Sequence, residues 1–290
     1  MLGQVIVNGL AFGSIYALIA LAMAIVYKSS SVPNFAQGEM AMITTFIAWL
    51  IASAHGAPFG MALAAALLSA AAIGFFLEFA FIRRAKQPTV LNLIIITLGF
   101  QMVLYGLAGW RFGPEQRRLS LPVSEREVVR MGEVVVSHLT LLTFATAAIL
   151  MLAVWLFFGF TRWGAALRAT QQNRLAARIH GVPVDRLLGL SFAISAVVGA
   201  IAGMLIAPMT TLDPTMMWDP LLKGFAAAVL GGLTSLPGVV VGGLLLGVIE
   251  NLFGAYVSLE FKSIVAFLVI VLVLCFRPSG LFGRHYVRKV

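Results

Sequence analysis

Apolar runs of about the length needed to cross a bilayer recur along nearly the whole chain, and this pattern limits what the chain can fold into. A transmembrane helix needs about 20 predominantly apolar residues. Runs near or above that length occupy 4–27, 38–54, 59–82, 90–111, 139–159, 187–208, 221–235, 238–256 and 262–276. Of the 290 residues, 61% are hydrophobic and 11% are charged, against roughly 25% charged in a soluble domain, so the solvent for most of this chain is lipid. The fold expected is all-α, a polytopic transmembrane helical bundle of about eight to nine hydrophobic segments forming a single domain over 1–290. The runs at 38–54, 221–235 and 262–276 are short. Each can tilt, re-enter or only half-cross, which gives interrupted or re-entrant helices.

The polar residues between the runs set an orientation. Arg83, Arg84 and Lys86 follow the third run; Arg162, Arg168, Arg174, Arg178 and Arg186 follow the fifth; and Arg277, Arg284, Arg288 and Lys289 end the chain. By the positive-inside bias these mark the cytoplasmic side, which places a loop over 160–186 inside. In the loop 113–138, Arg117, Arg118, Arg126 and Arg130 are balanced by Glu115, Glu125, Glu127 and Glu133, so this loop reads as external, with Asp213, Asp219 and Glu260 on the same side. Its stretch Glu133 to Val136 is rich in β-branched residues, and both a short strand or hairpin and irregular structure stand open. Nine crossings put the N-terminus outside and the C-terminus in the cytoplasm, and one re-entrant segment changes that parity. The net charge of +9 is accounted for by orientation, with no nucleic-acid partner implied. No Lys or Arg precedes Lys28 and the run Val5–Tyr27 exceeds a signal h-region, so the first segment reads as an uncleaved span. The single cysteine, Cys275, lies in an apolar run and reads as a small hydrophobe.

Four small-residue spacings, Gly9-x-x-x-Gly13, Gly199-x-x-x-Gly203, Gly238-x-x-x-Gly242 and Gly243-x-x-x-Gly247, allow close helix approach and read first as packing. Two stretches break the apolar pattern: Pro33 to Glu39 and Gly231 to Gly238. They are either tight turns or the broken helix ends that surround a transporter's substrate, and both readings stand. Ionisable residues inside a membrane are costly unless paired, protonated or wet. Glu250 and Asn251 lie in a Gly-rich run, Glu39 lies at a boundary, and Glu78 is best read as pairing with Arg83 or reaching the interface. Thr97 and Gln101 are i, i+4 neighbours on one face. Asn34, Gln37, Thr97, Gln101 and Glu250 are the candidates for a polar translocation path. The sequence has no G-x-x-x-x-G-K-[ST] phosphate loop, and His55, His138, His180 and His285 are too dispersed for a metal motif. The chain is not expected to be an enzyme, to hold a metal or to bind a cofactor.

The stretch from Thr161 to Gly181 is the most informative. Ala166 to Ile179 is rich in helix formers mixed with basic residues and is stopped by Gly181 and Pro183, which suits a short helix lying across the membrane face. Gly164, Arg168, Ala169, Asn173, Ala176 and Gly181 match the G-x-x-x-R-A…N-x-x-x-A…G pattern of permeases in bacterial branched-chain amino-acid ABC importers. Asn34-Phe35-Ala36-Gln37-Gly38-Glu39 resembles that family's N-F-A-H-G-E, with Gln37 where a His is common, and Thr97-Leu98-Gly99 resembles its T-[IL]-G. The glycines from Gly231 through Gly247, with Glu250, resemble its glycine-rich hairpin, and Arg277-Pro278-Ser279-Gly280-Leu281-Phe282-Gly283 its R-P-x-G-L-F-G. The resemblance covers essentially the whole chain and is to the LivH-type permeases.

The resemblance implies a permease subunit that docks on an ATPase through the 164–181 segment and moves branched-chain amino acids inward by alternating access in the bacterial inner membrane. It also implies a second, different permease subunit, two ATPase subunits that hold the ATP and Mg, and an external substrate-binding protein. Related permeases serve urea, short amides and aromatic acids. An ion- or proton-coupled secondary transporter is the competing class, and it would need a protonatable relay at mid-membrane, for which Glu250 is the one candidate. The topology predicts that a cysteine introduced at Ser124 is labelled by an impermeant reagent in intact spheroplasts; labelling only after lysis would reverse the orientation.

Overall fold

The computed structural model describes residues 1–85, 89–123, 128–131 and 134–283. Lys86, Ser124, Glu125, Arg126, Glu127, Glu133, Arg284, His285, Arg288 and Lys289, used above for charge, strand and labelling arguments, lie outside them.

Each of the nine apolar runs forms a helix. These are α1 (Leu2–Ser30), α2 (Gln37–Trp49, extended by a π-helical turn Leu50–Ala54), α3 (Phe59–Leu77, extended by a π-helical turn Glu78–Ile82), α4 (Val90–Phe112), α5 (His138–Phe160), α8 (Val184–Ile206), α9 (Trp218–Gly231), α10 (Leu236–Tyr256) and α11 (Ile264–Phe276). Between α5 and α8 lie α6 (Arg162–Gln172) and α7 (Arg174–Ile179). Among the described residues, six helices are long and apolar enough to cross a membrane: α1, α3 with its extension, α4, α5, α8 and α10. The remaining three, α2, α9 and α11, arise from the runs read as short. Exposed side chains on the outer helices are apolar, as at Met102 and Ile149, which is the surface a polytopic protein presents to lipid.

Element boundaries follow local chemistry. Thr89 caps α4 by accepting from Asn92 N–H, and Ser235 caps α10 by accepting from Gly238 N–H. Gly232, at φ 94°, ends α9 earlier than the hydropathy run suggested. The single helix expected over Ala166–Ile179 is two helices. Asn173 sits in the extended region at φ −156° and its Oδ1 accepts from Ala176 N–H at 3.0 Å, so it ends α6 and caps α7. A side chain that bonds the backbone locally competes with continuation of a helix. Gly181, at φ 79°, then stops α7 as expected. In the polar loop, β1 (Val128–Met131) and β2 (Val134–Ser137) form an antiparallel hairpin, with Val128 opposite Ser137 and Met131 opposite Val134.

The chain packs as two compact units. The first comprises 1–24, 124–151 and 222–290. Here α1 and α10 meet glycine to glycine: a Cβ on Gly9 would lie 2.8 Å from Val248 Cα, one on Gly13 would lie 2.9 Å from the Gly243 carbonyl, and one on Gly243 or Gly247 would overlap the α1 backbone at Ala17 or Gly13. The α9–α10 turn closes in the same way, with Gly231 and Gly238 against each other and Gly242 against Ala227. Residues 279–283 then lie across this turn, where Leu281 N–H donates to Leu230 O at 2.8 Å and Phe282 N–H to Gly231 O at 3.2 Å. The C-terminal end of α11 is thereby held at the same face as the end of α9.

The second unit comprises 25–123 and 152–221. Its center is α8, packed on α2 and α3, with Met40, Leu77, Phe100, Phe192 and Ala196 in the core. Gly74 is pressed against the Phe192 carbonyl and Gly203 against Ala41 and Thr45. Arg117, after α4, pairs with Leu212, after α8, through two backbone hydrogen bonds of 3.0 and 2.9 Å, and its guanidinium stacks over Trp49.

Apolar helices gain little by associating within lipid, so these glycine contacts supply cohesion through close packing. Gly247→Leu is therefore predicted to cost about 3 kcal/mol or more by overpacking, while Gly106→Leu, where an added Cβ meets nothing within 4 Å, stays within about 0.5 kcal/mol. Thermal midpoints of the two variants in detergent measure the contrast.

Candidate functional site

Polar side chains inside the membrane helices gather into separate clusters. In the second unit, Asn34 shapes the turn before α2: its Oδ1 accepts from Ala36 N–H at 3.1 Å and its Nδ2 lies 3.5 Å from Gln37 Oε1. Gln37 opens α2 and reaches α8, where its Nε2 donates to Ser195 O at 3.0 Å and its Oε1 accepts from Ser195 Oγ at 2.9 Å. A primary amide donates and accepts at one end, which lets Gln37 serve both polar groups of one residue. The absent side chain of Gly199 makes room for that amide.

Two residues along α2, Glu39 is 1% exposed, and its Oε1 accepts from Gln101 Nε2 at 2.9 Å. It stands in the first turn of α2, where the positive end of the helix favours a carboxylate. The Trp218 ring packs against Tyr105 with centroids 5.4 Å apart, and the second oxygen of Glu39 is buried without a hydrogen-bond partner among the described residues. Of the i, i+4 pair on α4, only Gln101 reaches another helix, because Thr97 donates to Ile94 O of its own helix at 2.9 Å. Glu78 takes the role expected of it: Arg83 grips it with Nε at 3.2 Å and Nη2 at 2.8 Å, and Nη2 also donates to Asp185 O.

In the first unit, Glu250 on α10 has two cationic neighbours that hydropathy did not single out. Lys223 Nζ on α9 stands 2.5 Å from Glu250 Oε1 in a close ion pair, and Lys262 Nζ stands 3.8 Å from the same oxygen. Both members of the tighter pair are buried, Lys223 at 5% and Glu250 at 1% exposure. Lys223 Nζ lies 5.7 Å from the Tyr16 ring centroid and Lys262 Nζ 5.2 Å from that of Phe12. The signal that would have found Lys223 is the pairing rule itself, since a carboxylate inside an apolar helix calls for a cation on a neighbouring one. Ser195 and Glu39 were missed among the candidates because a serine in an α-helix and a glutamate near a boundary are both ordinary.

The expected coupling residues sit on the α6–α7 pair. Thr161 caps α6 through Gly164 N–H at 3.0 Å. Gly164 is buried against the carbonyls of Phe157 and Phe158, so its smallness serves the α5–α6 corner. Arg168 donates to Phe158 O and to Gly159 O, using its fork on the free carbonyls that end α5. Ala169, Asn173 and Gly181 are exposed and Ala176 is half-buried. Arg174 donates to Ser29 O at 2.6 Å and Arg178 pairs with Asp185 at 2.6 Å, which fastens α7 to the ends of α1 and α8. Trp163, Leu175 and Ile179 remain exposed on this basic segment.

Among the described residues no group of three or more His, Cys, Asp or Glu is placed to hold a metal. Compared with known proteins, residues 5–274 match the family described as "Branched-chain amino acid transport system / permease component". The high-affinity branched-chain amino acid transport system permease protein LivH of Escherichia coli (strain K12) is 33% identical over 99% of this chain and 97% of its own length. The corresponding protein BraD of Pseudomonas aeruginosa is likewise 33% identical over 99% of this chain and 97% of its own. The probable permease LivH of Methanocaldococcus jannaschii is 22% identical over 97% of this chain and 92% of its own. With nine apolar helices, glycine-closed turns and a family match over almost its whole length, this multi-pass membrane protein belongs to the branched-chain amino acid transport system permease family.

Proposed function

We propose that the whole of 1–290 works as one permease domain of an ATP-driven importer that carries branched-chain amino acids inward by alternating access. The observation that carries this reading is the likeness to LivH and BraD over 99% of the chain. The competing ion-coupled mechanism needs a protonatable relay at mid-membrane, and Glu250 stands instead in an ion pair with Lys223, with Lys262 beside it.

In this reading the partners are a second, different permease subunit, two ATPase subunits that bind ATP and Mg, and an external binding protein. The N-terminus and the loop 113–138 face outside. The C-terminus and the loop 160–186 face the cytoplasm of a bacterium, at its inner membrane. The basic pair α6–α7 is the ATPase dock. Its caps at Thr161 and Asn173 and the clamp of Arg168 on α5 fix its shape without a partner, and Arg174 and Arg178 tie it to α1 and α8. A push on this pair therefore reaches three membrane helices, which is the mechanical property a coupling element requires. Docking stabilises one of two permease states only through a difference in affinity between them.

Ala169 is exposed, so Ala169→Trp adds bulk to the dock without disturbing the fold. Membrane insertion and thermal midpoint are predicted to stay at the wild-type level while co-purification of the ATPase falls at least about tenfold, the loss that one misfitted central contact produces. Arg168→Lys keeps the charge but loses the fork, and is predicted to retain insertion while ATP hydrolysis becomes uncoupled from uptake. Wild-type ATPase retention and transport in both variants would remove the dock from this segment.

A further inference from the structure

The cluster around Glu250 has one more positive charge than negative. Lys223 is the close ion partner of Oε1, at 2.5 Å. Lys262 has no comparable counter-ion among the described residues: its Nζ is 3.8 Å from Glu250 Oε1, 3.4 Å from Asn251 Oδ1 and 5.2 Å from the center of the Phe12 ring. Its side chain keeps 25% exposure, against 1% for Glu250. Glu250 Oε2 is fully buried and has no hydrogen-bond partner among the described residues. A buried carboxylate oxygen without a donor is unusual, because leaving it unsatisfied forfeits its hydration. The cluster thus sets an under-used cation beside an under-used carboxylate oxygen.

That arrangement is the complement of a zwitterion. We propose that Glu250 and Lys262 form an intramembrane binding station for the head group of an α-amino acid, with the substrate ammonium donating to Glu250 Oε2 and the substrate carboxylate accepting from Lys262 Nζ. An α-amino acid bears both charged groups on one carbon, and the 3.8 Å between Lys262 Nζ and Glu250 Oε1 suits two groups so close together. Lys223, in close ion pair with Oε1, aims the carboxylate, so it is a positioning residue and not a contact. The Phe12 and Tyr16 rings of α1 flank the two ammonium groups and keep this part of the helix packing apolar around the charges. In the orientation proposed above, the end of α10 that carries Glu250 lies toward the outside, where substrate would be delivered. The inference rests on the reading that this chain conducts amino acids, and it names the side chains that would receive them.

The test uses the complete transporter in proteoliposomes, supplied with its leucine-loaded binding protein. Lys262→Met keeps the stem and removes the charge. The double variant Lys223→Met with Glu250→Leu removes the buried pair together, so no lone charge is left to disrupt folding. Both are predicted to assemble, to keep binding-protein-stimulated ATP hydrolysis within about twofold, and to lose leucine uptake at least about tenfold, as expected when a charge-assisted hydrogen bond is lost. Lys262→Arg is predicted to restore most of the uptake. Wild-type uptake in Lys262→Met and in the double variant would overturn the station while leaving the importer reading intact. Loss of assembly or of ATP hydrolysis in parallel with uptake would make the cluster a structural lock and overturn the station as well. Failure of the wild-type assembly to take up leucine would remove the importer reading and the station together.

Discussion

Lipid offers the backbone no hydrogen-bond partners, and the rest of this structure follows from how the chain meets that constraint at its helix ends. Each helix leaves free carbonyls or amides at its termini, and the residues that satisfy them also position the neighbouring elements. Leu281 and Phe282 give their amides to the carbonyls that end α9, which fastens the tail across the α9–α10 turn. Arg168 gives its guanidinium to the carbonyls that end α5, which fastens α6 at the corner where it leaves α5. Ser235 and Asn173 do the same for amides at the starts of α10 and α7. The stretches on which the family resemblance was read contain several of these terminating devices.

The buried carboxylates show the same economy in three forms. Glu78 is held by an arginine on its own segment, Glu39 by Gln101 together with the first turn of α2, and Glu250 by Lys223 on a neighbouring helix. The first is complete and serves to anchor Arg83 against the start of α8. Glu39 and Glu250 each leave an oxygen without a hydrogen-bond partner among the described residues, and Glu250 alone of the two has an under-used lysine beside it; a group left unsatisfied inside a membrane points to function more strongly than one that is paired.

The helices were legible in the sequence because the membrane imposes length and hydropathy directly. All nine runs became helices, the three short runs became the three short helices, and the Gly-x-x-x-Gly spacings became close contacts. The Glu78–Arg83 pair was legible because both partners lie on one segment, whereas for Glu133 to Val136 strand and irregular structure stood equally open and the structure forms a strand over Val134–Ser137. Partners brought together by tertiary packing were not. Nothing in local spacing ties Gln37 to Ser195, Gln101 to Glu39, or Glu250 to Lys223, since each pair joins different helices. The break at Asn173 was missed because helix propensity summed over Ala166–Ile179 outweighed one residue whose side chain caps better than it propagates. For Arg168 a carboxylate or helix-terminal carbonyls were the expected acceptors, and the structure gives its fork to the terminal carbonyls of the chain's own α5.

In the proposed function, ATP hydrolysis on partner subunits drives branched-chain amino acids through this chain. Its most direct measurement is the initial rate of labelled leucine, isoleucine and valine entry into proteoliposomes that contain the permease pair, the ATPases and the binding protein. Uptake is expected to require ATP and the binding protein and to be indifferent to a collapsed proton gradient. Uptake that persists without ATP and stops when the gradient is collapsed would contradict it.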